Sequence, residues 1–282
     1  MKRIISILTL ALAAVPMLCQ AQTKDEYLQR YFNLVSRVGV DGVGVETLLD
    51  RWREADSTDI NQMVARFNYF YQKNGRDTIV TKTQKKYLGA DPVLMLKDTT
   101  GRDVGYFKLR VFDDEMFGKC LTAIDEAIAT DGTRIDLRQQ KADALINYEK
   151  ENPDMALDCI QSLIDENFTK KPKWTDIDGK DVEEGYFDEF IQGYCYIFSQ
   201  IATPASYEAF KAVSEKMLKY EPRNVNYLNN LGAYASLAKK NDKQALKYYK
   251  KVLKIKPDDV TAQQNIRLVE RRMAAQKSAG KK

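Results

Sequence analysis

The chain has 282 residues, with 44 Lys and Arg against 40 Asp and Glu for a formal charge of +4, and 44% of it is hydrophobic; that is enough apolar material for one large domain or two ordinary ones. It contains no histidine, which excludes Ser-His and Cys-His catalytic pairs and imidazole metal ligands. Charged residues are 30% of the chain and Gly and Pro number only 14 and 7, a composition that describes a helix-rich globular protein and argues against broad disorder and a nucleic-acid surface.

Lys2 and Arg3 precede an uncharged, mostly apolar run from Ile4 to Leu18, and Cys19-Gln20-Ala21 then places small residues where a signal peptidase reads. This pattern predicts a secretory signal peptide over residues 1–21, cleaved after Ala21. The apolar run falls short of the roughly 20 residues of a membrane span, so no span is expected after removal of the signal. A lipid on Cys19 is the alternative, disfavoured because Leu18 stands where a lipoprotein signal carries a small residue. The expected location is the periplasm or cell envelope. In that oxidising compartment two of Cys120, Cys159 and Cys195 could pair, but each lies inside an apolar helical pattern, where a small buried hydrophobe is the expected role.

Along the chain, Lys24 to Val38, Val45 to Ala55 and Asp59 to Lys73 carry apolar residues at helical spacing. The segment Gly39 to Gly44 between the first two follows no strand and holds no lysine, so it reads as a turn and not as a phosphate cradle. From Thr78 to Val111 the pattern changes to alternation. Val93 to Lys97 and Val104 to Val111, separated by Asp98 to Asp103, predict a β-hairpin, with Thr78 to Thr83 as a candidate third strand. Helices resume near Glu115. Asn152-Pro153 reads as a cap followed by proline at the first helical position, and Thr203-Pro204 opens Pro204 to Tyr220 by the same device. Phe168 to Glu184 reads as a long polar loop, a kind more often functional than idle. The expected organisation is thus a signal over 1–21, a helical segment over 22–77, a hairpin insertion over 78–112, helical repeats over 113–273 and a disordered basic tail over 274–282.

An internal repeat underlies the helical part. Lys216 to Val225, KMLKYEPRNV, matches Lys251 to Val260, KVLKIKPDDV, at an offset of 35, with five of ten positions identical. The same offset aligns Asn230 with Asn265. The unit Asn226 to Pro257 carries Leu231-Gly232, then Ala245, Tyr249 and Pro257, and it resembles a tetratricopeptide repeat, with Leu228 in place of the usual early aromatic and one extra residue in the turn Lys239 to Asp242. Gly232 and Ala245 would let helices approach closely, Tyr249 would fill the space between layers, and Pro257 would end the unit. Weaker copies place Ala156-Leu157 and Cys120-Leu121 on Ala245-Leu246. The resemblance implies a mainly α fold, a superhelix of stacked antiparallel helix pairs, here with a small β-hairpin insertion.

The resemblance also implies a surface. First helices of successive repeats line a groove for an extended peptide or a partner helix, and the matching positions are Asn226, Asn229, Asn230, Ala233, Ser236 and Leu237, followed by Thr261, Gln264, Asn265 and Leu268. Amide side chains can bond a peptide backbone as donors and acceptors. The loop from Trp174 to Glu184 gathers Asp176, Asp178 and Asp181 around Gly179, but the glycine is misplaced for an EF-hand, so a solvated loop with Trp174 docked on a neighbouring helix is expected. Ser236 and Lys239 match a Ser-x-x-Lys pair without its companion motifs. The resulting expectation is an exported, non-catalytic scaffold for a protein or peptide partner, without cofactor or metal and without nucleic acid. A carbohydrate- or small-ligand-binding protein using Trp174, Tyr186, Phe187, Tyr194 and Tyr196 is the alternative.

Overall fold

A computed structural model describes residues 24–279; the signal-peptide reading, its cleavage site and Cys19 lie outside these residues. Helices α1 (Lys24–Val38), α2 (Val45–Ala55) and α3 (Ile60–Asn74) come first. The turn between α1 and α2 holds Gly39 at φ 84° and Gly44 at φ 87°, left-handed values that glycine adopts without a Cβ penalty. Trp52 of α2 is fully buried, stacks on Tyr27 of α1 at 6.1 Å, and donates its indole N–H to Asp59 Oδ2 at 3.0 Å. The other oxygen of Asp59 accepts from the Asn61 amide and caps α3, so one buried carboxylate ties two helices together.

The alternating segment forms a three-stranded antiparallel sheet of β1 (Arg76–Lys82), β2 (Leu94–Lys97) and β3 (Asp103–Val111), in the order β1-β3-β2. The hairpin is β2–β3, and the candidate third strand is present as β1, with Val80 opposite Phe107 and Arg76 opposite Val111. The β1–β2 connection folds back on itself at Tyr87 and Ala90. There Leu88 is buried at a φ of 49°, and a Cβ on Gly89 would lie 3.2 Å from the carbonyl oxygen of Gln200. The insertion therefore touches the helical part at a distant point in sequence as well as at its own ends.

Helices α4 (Asp114–Thr130), α5 (Ile135–Tyr148), α6 (Asp154–Lys170), α7 (Tyr186–Ile201), α8 (Pro204–Tyr220), α9 (Val225–Leu237), α10 (Asp242–Ile255) and α11 (Val260–Ala279) follow the sheet and complete the described residues. The protein is mainly helical with one small antiparallel sheet. Successive helices pack on one another from α1 to α6 and from α7 to α11, with the sheet inserted between α3 and α4; α6 also packs on α8, and α9 touches both α7 and α11. No helix among the described residues is long and apolar enough to cross a membrane.

Between α9 and α10 a Cβ added to Gly232 would lie 2.8 Å from Tyr249 Cδ1 and Cζ and closer still to Cε1. Tyr249 and Ala245 are buried beside it. A side chain at position 232 would thus occupy the space of the ring that joins α9 to α10, the physical reason for glycine at that point.

Three boundaries differ from expectation. Pro153 is itself the N-cap residue of α6, not its first helical position, and Asn152 turns its amide to Asp154; the carboxylate of Glu149 accepts from the Met155 amide and supplies the missing cap. The loop expected from Phe168 begins only after Lys170, because Phe168 stacks on Tyr220 at 4.5 Å and draws the last turn of α6 onto α8. The tail expected from residue 274 is helical through Ala279, consistent with the run of good helix formers Met273 to Lys277. Cys120, Cys159 and Cys195 are free thiols, the first and third fully buried and Cys159 half-buried. The alternative of a disulfide between two of them is not what this structure contains.

Candidate interaction surface

Helices α7, α9 and α11 meet through polar side chains on the two flanks of α9. Towards α7, the amides of Asn230 and Gln192 exchange two hydrogen bonds of 3.0 and 3.1 Å, and one turn earlier Asn226 donates to Asp188 at 3.4 Å. Asn224, which caps α9, donates to the other oxygen of Asp188 at 3.0 Å, and the Tyr227 hydroxyl donates to the Asp188 carbonyl. Towards α11, Asn229 donates to Asp259 Oδ1 at 3.2 Å, and Ser236 accepts from Arg272 at 2.7 Å. Arg272 also grips Asp242 at the start of α10. The Asn230 and Gln192 amides satisfy each other from both sides, whereas Asn229 Oδ1 is buried with no hydrogen-bond partner among the described residues; together these bonds tie α9 to α7 and α11.

The expected groove residues consequently separate into two groups. Asn229, Asn230 and Ser236 are buried and engaged within the chain, and Ala233 and Asn265 are half-buried. Asn226, Leu237, Thr261, Gln264 and Leu268 are exposed. Leu237 and Leu268 stand out, with 46% and 59% of their surface open to solvent. On α7, Tyr196 is 64% exposed, and Gly193 faces open space, where a Cβ would meet nothing within 4 Å.

Sequence reasoning missed Asp188, Gln192, Asp259 and Arg272. A signal for the first two was present: Asp188 and Gln192 are spaced i, i+4, as are Asn226 and Asn230, and two such polar pairs on neighbouring helices can meet rung by rung. It also missed Asp143 of α5, whose carboxylate accepts from the Tyr194 hydroxyl at 3.1 Å. Burial pushes the Asp143 carboxyl above its ordinary value, with the Tyr194 bond opposing; burial, then the Asp143 charge, pushes the Tyr194 phenol up.

The loop of Trp174 is organised by the Asp176 side chain and is tied to the α4–α5 turn by backbone bonds of Thr175 with Thr133 and Ile135. Asp176 Oδ1 accepts from the amides of Asp178 and Lys180, both at 2.9 Å, while Asp181 and Asp178 pair with Lys173 and Lys180. No group of three or more acids and thiols suited to a metal occurs among the described residues. Trp174 is buried, stacks parallel to Phe187 at 6.1 Å, and donates to Asn167 at 2.8 Å. Of the aromatics considered for a sugar, Trp174 and Tyr194 are interior, Phe187 is half-buried, and only Tyr186 and Tyr196 are open.

Lys239 bonds Glu208 at 2.8 Å, and Glu208 and Tyr234 push its ammonium up. A lysine that deprotonates a serine needs the opposite shift, and Ser236 is held by Arg272 instead. Comparison of the sequence with protein-family models and with curated proteins gave no match.

Proposed function

We propose that the chain is an exported tetratricopeptide-type scaffold that binds a protein or peptide partner across its first helices α5, α7, α9 and α11, and that it performs no catalysis. The observation that carries this reading is the contrast across α9. Its flanks are locked to α7 and α11 by buried polar pairs, while Leu237, with Tyr196 and Leu268 on the adjoining helices, keeps exposed apolar surface. Rigid spacing of exposed apolar anchors is what a helical-repeat binding face requires, because pre-ordered side chains lower the entropy cost of association. The close approach of Gly232 to Tyr249, with Ala245 buried beside them, supports the repeat reading, since these are the packing roles that the family pattern implies.

The test compares capture from envelope fractions by the wild-type chain and by Leu237→Glu/Leu268→Glu. Recovery of one protein by the wild type and its loss with the double variant supports the proposal. Equal recovery by both, or no recovered protein, counts against it.

A further inference from the structure

At the opposite end of the chain, α1 and α2 flank an open cleft of about 430 Å³, within the size range of small-ligand sites. Arg30 and Arg37 contribute from α1 and Arg51 from α2, and no Asp or Glu lines the cleft. Arg37 and Arg51 make no ion pair or hydrogen bond among the described residues. Several other arginines, among them Arg53, Arg66, Arg134 and Arg138, are paired with a carboxylate, so the distinguishing feature of the cleft is that three guanidinium groups line it without an acid.

The turn at Gly39 to Gly44 reverses the chain, so the two helices run antiparallel and the cationic groups fall at two poles. Arg37 lies at the turn end beside Gly44. Arg51 lies at the far end beside Arg30, seven residues from each turn-end position, which is about 10 Å along a helix axis. Between the poles the wall is mixed: Leu34 and Leu48 give apolar surface, and Asn33 and Thr47 give an amide and a hydroxyl. Like charges facing one cleft repel one another, and an anion at each pole would turn that repulsion into charge-assisted, bidentate hydrogen bonds.

We infer that this cleft binds an elongated dianion, with two carboxylates about 10 Å apart joined by an apolar chain. The same chemistry is offered by a free long-chain dicarboxylate and by two acidic side chains of an extended peptide. The site is separate from the α7–α9–α11 face and does not depend on the function proposed for it.

The experiment is an NMR titration of the full chain, following the amides of Asn33, Thr47 and the α1–α2 turn. Azelate is the free dicarboxylate, nonanoate the single-charge control, pyrophosphate the short dianion, and a peptide with two glutamates flanking leucines is the second source. At concentrations of about 1–10 mM, azelate or the peptide should shift the cleft amides and nonanoate and pyrophosphate should shift them far less; the stronger of the first two identifies the source. Arg37→Gln and Arg51→Gln should each weaken binding about tenfold, and Arg51→Lys should lose less. Both positions are exposed, so the far-ultraviolet circular dichroism should be unchanged and a loss would report on the site. The inference is overturned if all four probes act alike, if none shifts the cleft amides, or if the Gln variants bind as the wild type does.

Discussion

Replacing Gly232 by alanine sets two effects of opposite sign against each other. Alanine in a helix interior is favoured over glycine by about 1 kcal/mol. Against this, the new methyl carbon would lie 2.8 Å from Tyr249 Cδ1 and Cζ and closer still to Cε1, far inside van der Waals contact. The ring is 2% exposed, between α9 and α10 with Val252 and Ala245 buried nearby, so it has no open side to swing toward. Overpacking of this kind destabilises by roughly 1–3 kcal/mol, occasionally more. The two effects leave a net loss, and Gly232→Ala should lower stability by up to about 2 kcal/mol. The assay is urea unfolding followed by circular dichroism, repeated in a Tyr249→Leu background. There the methyl group has room, and Gly232→Ala should become neutral or stabilising, leaving a coupling energy of about 1–3 kcal/mol between the two positions. Stabilisation by Gly232→Ala in the wild-type background, or additive effects in the double variant, would refute the close approach of α9 and α10.

Further expectations concern buried polar groups and thiols. Asp59→Ala removes the acceptor of the buried Trp52 indole and the cap of α3, and should destabilise by about 2–4 kcal/mol, read as a lower denaturation midpoint with altered Trp fluorescence. In protein lacking residues 1–21, a thiol reagent should modify half-buried Cys159 before Cys120 and Cys195, whose thiols are each pushed up to about 12 by burial; fast reaction of all three would contradict the core placement. Hydrogen bonds from Lys216, then Tyr220, hold the Asp165 carboxyl below its ordinary value of 3.8. Because the folded-state value is the lower one, the ionised carboxylate stabilises the fold above the ordinary value, and that contribution disappears as pH falls through the folded one. Lys216→Met should therefore flatten the acid limb of a stability-against-pH curve, by a modest amount since Asp165 is partly exposed.

Local signals in the sequence were strong where one element's own residues decide its limits. The glycines of the α1–α2 turn, the Asp59 cap and the Thr203–Ser206 capping box are short-range devices, and the helices they bound were legible. The third strand was legible as alternation, but not its place beside β3, since strand order depends on contacts far apart in sequence. Asn152-Pro153 misled because a carboxylate three residues upstream took over the cap. The end of α6 misled because a tertiary stack, Phe168 on Tyr220, extends the helix beyond its polar composition. At the candidate surface, position on a helix was readable and exposure was not. Asn229 and Asn226 look alike in sequence, yet one is buried against Asp259 and the other, though it donates to Asp188, is exposed. That difference is set by which flank of α9 meets α11, a fact about packing that no single-helix pattern contains.

Site-specific photo-crosslinking tests the proposed binding face most directly. A photoreactive residue at Leu237 or at Leu268, on exposed faces of α9 and α11, should join to a protein partner in envelope material, whereas one at Lys247, exposed on the second helix α10, should not. Crosslinks of equal yield from Lys247, or none from Leu237 and Leu268, would contradict a scaffold that binds through its first helices.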